Sequence, residues 1–205
     1  MSSWENFNIQ GVVGHLSCLM LKPDIQANKI AILLHPNPLH GGSNRNKVVQ
    51  TAAKALCKKG FLCVLPNLRG VGESDGEHDY GNGETFDAIA IINYLKNMYP
   101  DLADNLLLGG FSFGAYVSCK VVQSVKVQNL LLIGAAVAKY KEIAPFVPDG
   151  IQTLFIHGAD DEVIPLQQAL DWCGKQNLNL IVVPQATHFF HGKLHALSDA
   201  INRFL

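Results

Sequence analysis

The stretch Leu106 to Ala115, LLLGGFSFGA, joins an apolar run typical of a buried strand to a helical segment through a glycine-rich turn. Ser112 lies between Gly110 and Gly114 in the pattern GxSxG. A serine at so tight a strand-to-helix turn has a strained backbone, and side chains at the flanking glycines would collide with neighbouring backbone. We therefore predict that Ser112 projects alone from the turn, as a nucleophile would.

The helix after Ser112 is predicted from Phe113 to about Val122. Unpaired N–H groups and the helix dipole at its N-terminus favour a developing negative charge, so the amide of Phe113 is predicted to form half of an oxyanion hole. The alternative interpretation is a glycine-rich loop that happens to hold a serine, since five-residue matches of this kind also occur by chance.

Short apolar runs alternate with helical segments along most of the chain. Near-continuous apolar strands in such an alternation predict an α/β fold, with a mostly parallel central sheet covered by helices on both faces. Two short strands are predicted within residues 7–21, and the further strands at Ile30 to Leu34, Phe61 to Leu65, Leu106 onward, Val127 to Ile133, Thr153 to Ile156 and Leu178 to Val183. The other helices are predicted at Lys47 to Lys59, Glu84 to Met98, Pro165 to Lys175 and a final segment ending at Leu205. In the helix from Glu84 to Met98, the predicted apolar face consists of Phe86, Ile89, Ile92 and Leu95.

Length and composition limit the class of protein. With 205 residues the chain is long enough for one sizeable core, and we predict a single domain over residues 1–205. A hydrophobic fraction of 48% is typical of a globular protein. A net charge of −1 with scattered basic residues predicts no nucleic-acid partner and no anionic membrane partner.

The expected location is the cytoplasm. The first residues, MSSWENFNIQ, have no targeting pattern, and no apolar run approaches the length of a membrane span. The cysteines are odd in number, form no CxxC pair and lie mostly in apolar segments, which predicts reduced thiols inside the core. They are Cys18, Cys57, Cys63, Cys119 and Cys173.

In open α/β sheets the ligand site lies beyond the carboxyl ends of the strands. HGADDEVIP follows one predicted strand and contains Asp160 and Asp161, one of which we expect to orient a histidine. PQATHFFHG follows the next and contains His188 and His191. Both carboxylates are also ordinary turn residues, and a lone loop histidine is usually a polar surface residue. Serine, acid and histidine in this order, each at a strand end, are nevertheless the order of a hydrolase triad on this kind of sheet.

These motifs, together with HPNPLHGG and LRGVGES after two earlier strands, resemble the α/β-hydrolase superfamily over nearly the whole chain. The resemblance is closest to small lidless bacterial hydrolases related to dienelactone hydrolase. It implies Ser112 as nucleophile, Asp161 as orienting acid and His188 as base. Asp161 fits the family pattern GxxDxxxP, whereas Asp160 falls at a variable position. Dienelactone hydrolases proper carry cysteine as nucleophile, so their substrate is not transferred to this chain.

The oxyanion hole needs a second N–H from the loop after the early strand. Because Pro36 and Pro38 have no N–H, Asn37 is the first available donor, with Leu39 as the next. We predict Asn37. His35 and His40 are interpreted either as polar groups of the pocket or as solvated loop residues, and the role of His191 stays open.

LRGVGESDG also resembles a dinucleotide-binding GxGxxG turn, but Asp75 occupies the third glycine position, and Glu73 and Asp75 would face the pyrophosphate. The resemblance implies instead that the loop is structural, with Arg69 tying loops together. The eight histidines form no HExxH or other paired ligand spacing. We therefore expect no cofactor and no metal.

Together these features predict a serine hydrolase, carboxylesterase-like, that acts on small carboxylic esters or thioesters through an acyl-enzyme. A peptidase of the same fold and a non-catalytic binding protein are the alternatives, and the oligomeric state is expected to be a monomer or homodimer. The segment Ala135 to Gly150, where lids are commonly inserted in this superfamily, has room for one or two helical turns, so no lid domain is expected.

Overall fold

A computed structural model of the chain describes residues 3–140 and 144–205. Eight strands form one sheet in the order β1-β2-β4-β3-β5-β6-β7-β8. The strands are β1 Trp4–Gln10, β2 His15–Leu21, β3 Lys29–Leu34, β4 Phe61–Pro66, β5 Leu106–Phe111, β6 Asn129–Ile133, β7 Gln152–Gly158 and β8 Leu180–Val183. The helices are α1 Lys47–Lys58, α2 Asn82–Met98, α3 Phe113–Val121, α4 Leu166–Gly174 and α5 Leu194–Phe204.

The sheet is parallel from β4 to β8. β1 and β2 form an antiparallel hairpin, and β2 continues antiparallel onto β4. Every pairing from β4 through β3, β5, β6 and β7 to β8 is parallel, so the carboxyl ends of these strands meet at one edge of the sheet. The predicted α/β-hydrolase architecture, a mostly parallel sheet without a lid domain, is confirmed, and the segment between β6 and β7 runs only from Gly134 to Ile151.

Helices cover both faces of the sheet, and each face has its own core. Along β3, Ile30, Ile32 and Leu34 pack into the core under α2, α3 and α4, whereas Ala31 and Leu33 pack into the core under α1 and α5. This alternation follows from the period of two along a strand. Because both faces are covered, the central strands contain almost only apolar residues, as the sequence pattern indicates.

The structure differs from the sequence predictions in several details. Strand β7 extends to Gly158, and a short 3₁₀ turn at Pro38–His40 lies outside the predicted strands and helices. The predicted apolar face of α2 is wrong at one position, because Phe86 is 60% exposed. Two carboxylates, Glu84 and Asp87, are buried on that helix instead, since both bind groups of the preceding loop. Part of the segment expected to hold one or two helical turns lies outside the described residues.

Candidate active site

Ser112 occupies the sharp turn between β5 and α3. Its backbone has φ 53° and ψ −109°, a left-handed conformation that is rare for a residue with a side chain. A Cβ on Gly110 would collide with the backbone of Gly114, and a Cβ on Gly114 would collide with the carbonyl of Leu34 at the end of β3. The two glycines therefore allow the turn to close and let the N-terminus of α3 press against the loop after β3.

Asp161 follows the carboxyl end of β7 and is buried, with 7% of its surface exposed. Its Oδ1 accepts hydrogen bonds from the backbone N–H groups of Val163 (2.9 Å) and Ile164 (2.7 Å). Its Oδ2 lies 2.8 Å from Nδ1 of His188. Burial acts to raise the pKa of Asp161, but the bonds from His188 and the two amides outweigh it and hold this pKa below its usual value. The carboxylate is therefore ionised and fully engaged.

His188 lies in the loop after β8 and is 2% exposed. Its Nδ1 contacts Asp161, its backbone N–H donates to Oε2 of Glu162 at 3.1 Å, and its ring packs on Phe111 with 4.8 Å between ring centroids. An ionised carboxylate accepts only, so Nδ1 carries the proton and Nε2 is free of it in the neutral ring. These contacts hold the imidazole in one orientation.

Ser112 and His188 open into the same cavity of about 280 Å³ at the carboxyl edge of the sheet. This volume lies near the lower end of the range for small-molecule sites, roughly 300–1,000 Å³. Other lining residues are Pro36, Asn37, His40, Asn46, Lys139, Tyr140, Val163 and Phe189. The cavity therefore combines the serine and histidine with both polar and apolar walls.

Two backbone amides lack acceptors among the described residues: Asn37, which lines the cavity, and Phe113, which follows Ser112 in the chain. Phe113 is the first residue of α3, so it has no carbonyl one helical turn earlier to bond. The N–H of Asn37 has no acceptor among residues 3–140 and 144–205. The alternative donor, the N–H of Leu39, already donates to Oδ1 of Asn37 at 2.9 Å. The amides of Asn37 and Phe113 thus have no acceptor among the described residues, whereas that of Leu39 is occupied.

The three histidines whose roles stayed open lie in different environments. His35 is wholly buried and joins the loop after β3 to the loop after β4. Its Nδ1–H donates to the carbonyl of Pro36 (2.7 Å), and its Nε2 accepts from the N–H of Leu68 (3.0 Å). Burial lowers its pKa to about 4, so the ring is neutral. His40 is exposed at the cavity wall, and His191 is exposed and stacks on Phe189.

Arg69 ties the loop after β4 to α2, as the resemblance implies. Its Nε and Nη2 donate to the two carboxylate oxygens of Asp87 at 2.6 and 2.8 Å. In the same loop, Oδ2 of Asp75 accepts the backbone N–H of His15 at 2.7 Å. The LRGVGESDG stretch therefore stabilises the sheet's connections, and Asp75 serves the β1–β2 hairpin.

Asp161 has a neighbour that the sequence analysis did not single out. His157, at the end of β7, is wholly buried, and its Nε2 lies 3.4 Å from Oδ2 of Asp161. Glu162, which accepts from the backbone of His188, was also missed. Both belong to the motif HGADDEVIP, but strand alternation does not tell which residues near a strand end turn toward a carboxylate. Among the described residues, no group of three or more His, Cys, Asp or Glu could hold a metal ion.

Solved structures share this fold. An alpha-beta serine hydrolase homologue from Coxiella burnetii has a TM-score of 0.91 and 38% identity, covering 98% of this chain and 97% of that chain. A protein from Xanthomonas campestris, described as an a/b serine hydrolase without lid, has a TM-score of 0.87 and 34% identity, covering 98% and 93%. A dienelactone hydrolase from Anabaena variabilis has a TM-score of 0.77 at 17% identity, covering 99% and 96%, which is a likeness of fold.

The family model described as X-Pro dipeptidyl-peptidase (S15 family) matches residues 15–151, which include the turn at Ser112 and end before Asp161 and His188. The chain therefore belongs to the α/β-hydrolase superfamily and, within it, to that S15 family. The resemblance to lidless α/β serine hydrolases is confirmed at the level of fold and superfamily. Among the described residues, none of the helices has both the length and the apolar composition needed to span a bilayer.

Proposed function

We propose that the protein is a serine hydrolase that cleaves small carboxylic esters or thioesters through an acyl-enzyme. The observation that carries this proposal is the convergence of Ser112, on its strained turn, and the Asp161-bound ring of His188 on one small cavity. Asp161 selects the tautomer of His188 whose Nε2 can accept a proton, which is the state a general base requires.

In the acylation step, Nε2 of His188 takes the proton of the Ser112 hydroxyl while Oγ attacks the carbonyl carbon of the substrate. The N–H groups of Phe113 and Asn37 bind the oxyanion of the tetrahedral intermediate. The intermediate collapses when the bond to the leaving alcohol or thiol breaks, and His188 returns its proton to that group. Water then attacks the acyl-enzyme with His188 again as base, releasing the acid and regenerating Ser112.

A peptidase is the second candidate, because the family that includes this chain is described by X-Pro dipeptidyl-peptidase activity. Release of a dipeptide requires recognition of a free N-terminal ammonium group, for which a carboxylate in the pocket is the fitting partner. The described residues that line the cavity present the ammonium of Lys139 and no carboxylate side chain. This charge pattern favours neutral or anionic acyl groups over an N-terminal dipeptide.

We expect a fluorophosphonate probe to label the protein at Ser112, because only a base-activated serine beside oxyanion donors attacks such phosphorus efficiently. Peptide mapping locates the label, and Ser112→Ala abolishes it. Ser74 and Ser118 are buried control positions, 7% and 0% exposed. Label at either of them on folded protein, or no label at all, contradicts the triad, and the second result favours a non-catalytic binding protein.

Purified protein is then assayed on matched p-nitrophenyl esters, acyl thioesters and Ala-Pro p-nitroanilide. Hydrolysis of the esters or thioesters is the expected result, and cleavage of the anilide alone transfers the proposal to the peptidase. All five cysteines are buried, and Cys18, Cys63, Cys119 and Cys173 are free thiols, which supports a cytoplasmic location because reducing compartments keep thiols reduced. The partner we propose is a small soluble ester, with no nucleic acid and no membrane, and the protein itself a monomer or homodimer.

A further inference from the structure

The carboxylate of Asp161 is bound on all sides. Besides the two amides at Oδ1, two imidazole rings approach Oδ2, with Nδ1 of His188 at 2.8 Å and Nε2 of His157 at 3.4 Å. The mechanism above uses His188 and leaves His157 without a role. A second buried imidazole on the oxygen that orients a proposed catalytic base is the least explained polar group of the site.

The protonation state of His157 follows from its surroundings. Nε2 lies 2.9 Å from the carbonyl oxygen of Ile164, which only accepts, so this nitrogen carries the proton. Nδ1 is buried and has no hydrogen-bond partner among the described residues, so a proton there would be unsatisfied. Burial lowers the pKa of His157, and the ring is neutral. The Nε2–H group therefore donates to the carbonyl of Ile164, and the same nitrogen lies 3.4 Å from Oδ2 of Asp161.

Both polar groups of Ile164 are held by this pair of side chains. Its N–H donates to Oδ1 of Asp161 at 2.7 Å, and its carbonyl accepts from His157 at 2.9 Å. The turn from Asp161 to Ile164 is thereby closed on the end of β7, which is a rigid element of the sheet. Rotation of the Asp161 carboxylate would break contacts at both oxygens, so the side chain is confined to one rotamer.

The geometry points to His157 as a positioning residue for the proposed hydrolase reaction: it fixes the plane of the Asp161 carboxylate so that Oδ2 faces His188. His157 is not among the described residues that line the cavity. This inference rests on the proposed function, because it assigns His157 a role only through Asp161 and His188. A general base must be held in a narrow range of orientations, and small displacements are costly in rate.

Two substitutions separate the N–H group from the volume of the ring. His157→Leu keeps an apolar side chain of similar size and removes the donor, whereas His157→Gln can place an amide N–H near the position of Nε2. Leu154→Ala is the control for lost stability, because Leu154 is buried on the same strand and does not line the cavity. All three are compared with the wild type by thermal unfolding before kinetics.

On p-nitrophenyl acetate we expect His157→Leu to lower kcat by about tenfold with KM within about twofold, because loss of the hydrogen bond to the carbonyl of Ile164 loosens the turn that holds Asp161. His157→Gln is expected to recover most of this loss, and Leu154→Ala to keep the wild-type kcat below its melting temperature. The inference is overturned if His157→Leu keeps the wild-type kcat, or if His157→Gln and His157→Leu lose the same activity.

A measurement on the unaltered protein tests the same point without relying on activity or on folding of a variant. Correlation of ring protons with ¹⁵N in labelled protein at neutral pH is expected to show His157 as the neutral tautomer protonated at Nε2. A neutral ring protonated at Nδ1 would leave no donor for the carbonyl of Ile164 and would refute the inference. If the protein hydrolyses no ester, the proposed function fails, and this tautomer still decides whether His157 holds Asp161.

Discussion

Asp160 and Asp161 are neighbours in the chain with opposite environments. Asp160 is exposed, with its carboxylate in solvent. Its backbone N–H donates to the carbonyl of Ala186. Asp161 is buried, and its carboxylate binds two amides and His188. The two acids therefore differ in role because the turn directs the side chain of Asp161, and not that of Asp160, into the protein.

We expect Asp161→Asn to lower ester turnover by about 10³–10⁴-fold, because an amide at this position no longer selects the productive tautomer of His188 or stabilises its imidazolium. Asp160→Asn is the matched control and is expected to change kcat by less than about threefold, as exposed surface substitutions usually do. Both variants are checked for folding by circular dichroism. Equal losses of turnover in the two variants would show that the assignment of Asp161 as the orienting acid is wrong.

His35 makes stability depend on pH. Its pKa is lowered to about 4 in the folded protein, from an ordinary value near 6.5. Between these values the unfolded chain binds a proton that the folded protein does not, so acidification favours unfolding. The penalty is absent above about pH 6.5 and grows to about 3 kcal/mol near pH 4.

Replacing His35 by Gln is expected to flatten the loss of unfolding free energy between pH 7.5 and about pH 4.5, at some cost in stability at neutral pH because the ring's two hydrogen bonds are imperfectly replaced. Urea unfolding at several pH values measures this. His195→Gln, at an exposed position of α5, is the control and should retain the slope of the wild type. An unchanged slope in His35→Gln would show that His35 is not the group responsible.

At the scale of elements, the N-terminus of α2 is organised by buried charge. Glu84 accepts backbone N–H groups of Asp79 (2.9 Å) and Gly81 (2.8 Å), and its Oε1 lies 2.7 Å from Nδ1 of His78. One turn later, Asp87 holds Arg69 of the loop after β4. These carboxylates explain why α2 buries polar residues and leaves Phe86 exposed.

Removing Arg69 leaves the wholly buried carboxylate of Asp87 without its cationic partner, so Arg69→Met is expected to lower the free energy of unfolding by about 3 kcal/mol or more. Adding Asp87→Leu removes the unpaired charge and is expected to recover much of this loss. Lys22→Met is the control: it breaks the exposed pair with Glu5 and should leave the free energy of unfolding nearly unchanged. A loss for Arg69→Met as small as that of the control would contradict the role of this pair.

At the scale of the whole molecule, the small cavity opens at the carboxyl edge of a sheet that has no lid domain. Leu39 is 60% exposed on the loop after β3, and Phe189, a cavity-lining residue, is 37% exposed. A cavity of about 280 Å³ has room for a short acyl group and a small alcohol, whereas a long alkyl chain would extend into solvent.

We therefore expect kcat/KM for p-nitrophenyl esters to be highest from acetate to butyrate and at least about tenfold lower for palmitate. No jump in rate is expected at the micelle threshold, because no lid domain has to open. Measurements with and without micelles test both statements. A rate that rises toward the longest chains would contradict this and point to closure of another segment, Asp75 to Gly83, over the site.

By itself, the sequence determined the order of elements and the architecture. The reason is local: apolar runs of strand length, helical periodicity and the glycines around Ser112 restrict the backbone within a few residues. The same local signals placed Ser112, the Asp160–Asp161 pair and His188 at strand ends, and the choice of Asp161 came from family resemblance because spacing does not distinguish adjacent carboxylates.

Only the tertiary structure decided which polar groups are buried and what they bind. His35 bonds Leu68 across the sheet edge, Arg69 reaches Asp87, and the rings of His157 and His188 meet on one oxygen of Asp161. Each contact joins residues brought together by strand pairing or by a turn whose direction depends on packing. A charged group can be buried only where a partner contacts it in the folded protein, and the periodicity of the sequence does not predict such contacts.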